Sequence, residues 1–116
     1  MTTNAGALEA LDRVLNRGGD ADDVLRAAVE IVARRFQWSG LFFREEERLV
    51  LGPEAGEADE SRRTSVAVVF RGDPVAELAV DGDVDEEGRQ FLERVALLIS
   101  AHCVVGWDTG GERWTP

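Results

Sequence analysis

Residues 38–56 read WSGLFFREEERLVLGPEAG, and the change of sequence period within them decides the fold. Residues 38–43 are rich in aromatic and apolar side chains, which favour a strand because they pack well on a pleated surface. The charged residues 44–48 predict a hairpin loop. Residues 49–51 predict the returning strand, which is expected to end at the Gly-Pro pair that follows because proline cannot donate to a strand ladder.

Two amphipathic helices are predicted before this hairpin. The first carries Leu8, Leu11 and Leu15 at helical spacing. It is expected to end at the glycine pair 18–19, because glycine tolerates the left-handed conformation of a helix end. The second is expected over residues 21–35, behind an N-cap aspartate. Its cap and its apolar stripe are Asp20, Leu25, Ala28, Val29, Val32 and Phe36.

After the hairpin, residues 54–63 are polar and acidic and predict a loop. Two runs rich in β-branched residues follow at 64–70 and 75–80, and both predict strands. The residues that join them, 71–74, include glycine, aspartate and proline, which are typical of a turn. A second hairpin is therefore expected.

A last helix is predicted from a capping box of Asp83 and Glu86 to about residue 105, with a wide apolar face. Residues 107–116 then form a C-terminal tail. Trp107 is expected to pack this tail onto the helix end or onto a neighbouring chain, because a large ring in a free tail would leave apolar surface in water.

The predicted order is thus helix, helix, hairpin, loop, hairpin, helix. Two hairpins make an antiparallel sheet of about four strands, with the helices packed on one face. The fold class is α+β. Residues 1–116 are expected to form a single domain, with 107–116 as its tail.

Composition excludes several classes of function. The net charge is −10 at pH 7, which argues against binding to nucleic acid or to anionic membranes. No apolar run approaches the roughly 20 residues that span a bilayer, and no signal peptide is visible, so the protein is expected to be cytoplasmic. A single cysteine rules out a disulfide within the chain.

The order of elements, with a long helix after the strand VAELAV at 75–80, resembles that of a GAF domain. The stretches WSGLFF at 38–43 and LVLGPEAG at 49–56 are more specifically similar to the free methionine-(R)-sulfoxide reductase branch, which carries a similar Trp-x-Gly strand and Leu-Val-Leu-Gly-Pro strand end. The resemblance covers about residues 8–103. It implies a GAF-like fold, with Trp38, Gly40 and Phe42 as candidate ligand-facing residues.

The chain departs from that branch at one point. In the reductases a long segment between the second and third major strands closes the pocket and carries the reactive cysteines. Only residues 54–63 occupy that place here, and they contain no cysteine. The chain therefore resembles a shortened GAF domain without its ligand-enclosing part.

Residues 102–103 pair the only histidine with the only cysteine, but the pattern does not indicate a reactive dyad. Neighbouring helix positions do not face each other, and Cys103 falls on the apolar stripe of the last helix. Free cysteine is among the most buried residue types, so Cys103 is expected in the core. No metal-ligand spacing is present, and no cofactor or metal site is expected.

These observations favour a non-catalytic GAF-like module that acts through protein–protein contact as a homodimer, with a further protein partner as an open question. The candidate dimer contacts are Leu8, Leu11, Leu15 and Trp107. Two alternatives remain open. One is a sensor that binds a small molecule in a reduced pocket, and the other is an enzyme of the free methionine-(R)-sulfoxide reductase type.

Overall fold

A computed structural model of the chain describes residues 3–105, so the tail at 107–116 and Trp107 lie outside the described residues. The elements are three helices, four strands and one short 3₁₀ turn. In chain order they are α1 (Asn4–Arg17), α2 (Ala21–Ala33), β1 (Trp38–Glu45), β2 (Arg48–Gly56), the 3₁₀ turn (Glu60–Arg62), β3 (Arg63–Phe70), β4 (Asp73–Asp81) and α3 (Glu86–Val105).

The four strands form one sheet in the order β2-β1-β4-β3, and every neighbouring pair is antiparallel. The predicted α+β class and the order of elements are confirmed. Helices α2 and α3 pack on one face of the sheet, with α2 on β1 and β2 and with α3 on β3 and β4. Helix α1 packs on α2, where Arg35 Nε donates a 2.6 Å hydrogen bond to Asn4 Oδ1.

The core lies between the helices and one face of the sheet. Alternate strand residues point to opposite faces, and the inward set is mostly apolar, with the buried Ser39 of β1 as a polar member. Its fully buried members include Leu41, Val68, Leu78 and Val80 from the sheet and Leu11, Leu25, Val32, Leu92 and Ile99 from the helices. The opposite side of the sheet has no helix on it among residues 3–105, and we call this side the open face.

Strand β2 continues past the point where the sequence predicted its end. It runs through Pro53 to Gly56, with a register shift between Gly40 and Phe42 on the neighbouring strand. A proline is tolerated here because β2 is an edge strand and the shift marks a bulge. The prediction of a strand end at Gly52-Pro53 was therefore wrong, and the loop predicted at 54–63 is correspondingly shorter.

Helix capping agrees with the sequence at α2 and differs at α3. Asp20 Oδ1 accepts from the Asp23 backbone N–H at 2.9 Å, which confirms the predicted cap. At α3 the accepting group is Asp85 Oδ1, at 2.7 Å from the Gly88 nitrogen. The predicted capping box that begins at Asp83 was wrong, because that carboxylate forms an ion pair with Arg62 instead.

None of the helices within residues 3–105 has both the length and the apolar character that crossing a membrane requires.

Gly56 gives a test of how tightly the end of β2 packs on the start of β1. Its φ is +97°, and a Cβ there would overlap the Gln37 carbonyl oxygen and lie 2.9 Å from Trp38 Cα. Gly72 has a similar φ of +86° and open space around it. We expect Gly72→Ala to cost roughly 1–2 kcal/mol for the left-handed backbone alone. Gly56→Ala should cost clearly more in urea unfolding, and equal losses would contradict this packing.

Candidate functional site

A depression on the open face has a volume of about 240 Å³. It lies between the outer strands and is open to solvent. The lining combines apolar and charged side chains from all four strands: Phe42, Leu49, Arg63, Ser65, Glu77 and Ala79. Ser65 Oγ donates to Glu77 Oε1 at 3.3 Å.

Beside this depression lies a buried ion pair. Asp81 is fully buried, and its Oδ1 accepts from Arg63 Nε at 2.8 Å while its Oδ2 accepts from Arg63 Nη2 at 3.0 Å. The two residues are direct cross-strand partners at the start of β3 and the end of β4. Oδ2 also accepts from the Asp59 backbone N–H at 2.6 Å. These donors stabilise the charged form and lower the pKa of Asp81.

Trp38 covers the ion pair from the side of β1. The Arg63 guanidinium carbon lies 4.2 Å from the centroid of the Trp38 ring and 5.8 Å from that of Phe42, which are cation–π distances. Trp38 Nε1 donates to Glu54 Oε1 at 3.0 Å, so the polar edge of the indole also has a partner. We call Arg63, Asp81, Trp38 and Glu54 the open-face cluster.

The three predicted ligand-facing residues come together on the open face, but they differ in their exposure. Trp38 is 1% exposed and is enclosed by its own chain. Gly40 lies beneath the indole, because a Cβ there would meet the Trp38 ring. Phe42 is half-buried and lines the depression. Arg63 and Asp81 were not predicted as site residues, and counting register outward from the turn at Arg71 and Gly72 would not pair them, because the irregularity between Val68 and Val69 shifts their register by one residue.

Cys103 lies on the other side of the sheet. It is 8% exposed and belongs to the core cluster beneath the helices, as the sequence predicted. Burial raises the pKa of its thiol to about 12, so the thiolate is scarce at neutral pH. His102 is half-buried beside it in sequence, and its Nδ1 has no hydrogen-bond partner among the described residues.

The predicted dimer contacts on α1 also differ from one another. Leu11 is 1% exposed and packs in the core of its own chain, which leaves little side chain for a partner. Leu8 and Leu15 are partly buried against the same core. Within residues 3–105 no group of three or more histidine, cysteine or acidic side chains could hold a metal ion.

Asp81→Asn tests the open-face cluster. It leaves the Arg63 guanidinium, whose side chain is only 24% exposed, without its carboxylate, so we expect a loss of about 3 kcal/mol in the free energy of unfolding at pH 7. Because the folded pKa of Asp81 is lowered, its contribution is present above the unfolded pKa of about 4 and is lost as the pH falls. Between pH 5 and 3 (roughly the range of that titration), wild type should lose stability more steeply than the variant.

Asp83→Asn is the matched control, because it removes an aspartate from an ion pair in which Asp83 is 97% exposed. Exposed pairs contribute little, so its unfolding midpoint should stay near that of wild type. If both variants have the same midpoint and the same pH dependence, the buried pair is not the stabilising one.

The Cys103 thiol should react slowly with a thiol reagent in the native protein at pH 8 (a value near the reference thiol pKa of about 8.5) and rapidly in denaturant. Burial and the raised pKa both withhold the thiolate. Cys103→Ala should cost about 1 kcal/mol, a typical loss for a small change in a core. Fast labelling without denaturant would place the thiol at the surface instead.

Comparison with known proteins identifies the fold. No family model matches the chain, and neither does any curated protein. Solved structures do match. The GAF domain of an Acinetobacter phosphoenolpyruvate-protein phosphotransferase is 16% identical with a TM-score of 0.70, and the match covers 90% of this chain and 96% of that one.

Free methionine-R-sulfoxide reductases also match. The enzyme of Staphylococcus aureus, in complex with substrate, is 13% identical with a TM-score of 0.71, over 89% of this chain and 97% of that one. The type II enzyme of Thermoplasma acidophilum is 16% identical with a TM-score of 0.64, over 75% and 94%. The chain therefore has the GAF-like fold, which GAF domains and these reductases share.

Proposed function

We propose that this chain is a non-catalytic GAF-like module of the cytoplasm that acts through protein–protein contact as a homodimer. The observation that carries the proposal is the open-face cluster. The side of the sheet that could receive a ligand is occupied by the chain's own ion pair and indole.

The open-face cluster leaves few polar groups for a ligand. Two nitrogens of Arg63 donate to Asp81, its guanidinium carbon lies 4.2 Å from the centroid of the Trp38 ring, and the indole N–H donates to Glu54. A ligand that took Arg63 for itself would leave Asp81 buried without its counter-ion. Breaking a buried pair in this way costs about 3–5 kcal/mol, which weakens binding by orders of magnitude.

Thiol-based reduction of a sulfoxide is disfavoured by the position of the cysteine. Cys103 is the chain's one cysteine, and it lies beneath the helices, so the sheet separates it from the depression. The raised pKa of its thiol further lowers the fraction that is present as the reactive thiolate at neutral pH. The fold is shared with reductases, but the arrangement of these groups does not support their chemistry here.

Exposed apolar side chains support the contact role. Leu97 is 64% exposed and Val104 is 52% exposed, both on α3. They are seven residues apart, so they lie on the same side of the helix, two turns from each other. An apolar pair of this kind on the outside of a helix suits a protein interface.

A small-molecule sensor is the second candidate, and the depression is the observation that favours it. Its volume of about 240 Å³ lies below the roughly 300–1,000 Å³ of typical ligand pockets, and it is open on one side. Glu77 and Ser65 are its polar groups besides Arg63, so a small cationic compound is the class that it would suit.

Light scattering tests the proposal. The chain concentration should be high micromolar, because a dimer with a Kd of about 1 μM is then mostly formed. We expect the mass of two chains.

An assay with free methionine-(R)-sulfoxide and a thiol reductant should give no turnover above that of Cys103→Ala. The sulfoxide should also leave the thermal midpoint unchanged, because a compound that binds only the folded state raises it.

Three outcomes would contradict the proposal. A monomer mass removes the homodimer. Turnover that Cys103→Ala abolishes makes the chain an enzyme. A ligand retained through purification, with a thermal midpoint that falls when it is removed, favours the sensor instead.

A further inference from the structure

We propose that two copies of this chain pair through the outer edge of β3, so that their sheets join into one antiparallel sheet of eight strands and their α3 helices pack side by side. This inference rests on the proposed homodimer and names its surface.

The two edges of the sheet differ in how well they are protected. An edge strand presents unpaired N–H and C=O groups, and natural proteins block such edges with proline, bulges and charges. Strand β2 has all three: Pro53, the irregular register beside it, and Arg48 and Glu54 at exposed positions. Pairing along this edge is therefore interrupted.

The edge at β3 has an irregular register between Val68 and Val69, but it lacks the proline and the charges. Residues 64–70 read TSVAVVF, with no proline, glycine or charge in seven consecutive positions. Ser65, Ala67 and Val69 are exposed on the open face, and Val69 is 44% exposed. An uncharged edge of this length that is rich in β-branched residues is suited to accept another strand.

Helix α3 provides the second observation. It packs on β3 and β4, so it lies above the same end of the sheet. The side chains Leu97 and Val104 point away from its buried face. An extended peptide added to β3 would cover the strand edge alone. A second copy of the chain would bring both a strand that pairs with the edge and a helix that covers Leu97 and Val104.

The spacing of the elements agrees with this arrangement. Neighbouring strands lie about 4.8 Å apart. An α3 axis above the middle of the β3–β4 pair would lie about 2.4 Å from β3, and β3 would lie about 2.4 Å from the two-fold axis. Two such helices related by a two-fold axis would be roughly 10 Å apart. Packed helices have interaxial distances of about 8–10 Å.

The strand can also pair with itself without apposing like charges. A two-fold axis perpendicular to the sheet, placed at Val66, sets Ser65 opposite Ala67 and Arg63 opposite Val69 of the other copy. The open faces of both copies then lie on the same side. The net charge of −10 opposes association in general, but residues 64–70 contribute none of it.

Val69→Lys and Leu97→Lys test the two parts of the surface. The first would place a lysine opposite Arg63 of the other copy, where like charges are unfavourable. The second removes an apolar side chain that the interface would bury. We expect each to raise the dimer Kd at least about tenfold, measured by sedimentation over a dilution series.

Leu51→Lys is the matched control. Leu51 is 38% exposed on the open face at β2, close to the exposure of Val69, but it lies at the opposite edge. Its variant should keep the wild-type Kd. Circular dichroism and the thermal midpoint of each diluted variant establish that the fold is retained.

Amide hydrogen exchange gives an independent readout in the wild-type protein. Amides of β3 should exchange more slowly at concentrations where the dimer forms than after dilution, whereas exposed amides of β2 should not change. A dimer that persists in both variants, with β3 exchange independent of concentration, overturns this surface but leaves the homodimer standing. A wild-type monomer at all concentrations overturns both.

Discussion

The Asp81 carboxylate is the group on which the arrangement of the open face depends. It lies at the end of β4, where it receives the side chain of Arg63 at the start of β3 and the backbone N–H of Asp59 in the connection from β2. One buried carboxylate thus links the outer ends of β3 and β4 and holds a short connection against the sheet. Its burial is tolerable because every donor around it compensates for lost hydration.

The same group determines what the open face can do. Arg63, which is held by Asp81, has its guanidinium over the Trp38 ring, and the indole in turn lies over Gly40. The absence of a side chain at residue 40 leaves room for the ring, because a Cβ there would overlap it. The ring and the ion pair therefore occupy this part of the open face.

The sequence predicted the parts of the fold that depend on interactions between residues close together in the chain. The helical spacing of Leu8, Leu11 and Leu15 and the cap at Asp20 are set within one or two turns, and both helices are present. The burial of Cys103 followed from its place on the stripe of α3. Each of these inferences needed only neighbouring residues.

The wrong predictions and the missed residues lie where the structure depends on contacts between residues far apart in the chain. Asp83 and Asp85 are equivalent as caps by sequence, and Arg62, some twenty residues away, draws Asp83 to itself. A proline such as Pro53 would end a central strand but is tolerated in an edge strand. Which strand lies at the edge depends on the strand order, and local sequence does not specify that order. The Arg63–Asp81 pair depends on an irregular register near Val68 and Val69, which shifts every later partner by one residue.

The proline of β2 also bears on how far such a sheet could grow. A chain with two receptive edges can add neighbours without limit, which leads to fibres, whereas an interface that repeats itself across a two-fold axis closes after two members. Here Pro53 and the bulge interrupt strand pairing at the β2 edge. Strand addition at the β3 edge, as proposed above, would then stop at two chains, so an uncharged edge strand at the surface would not lead to fibres.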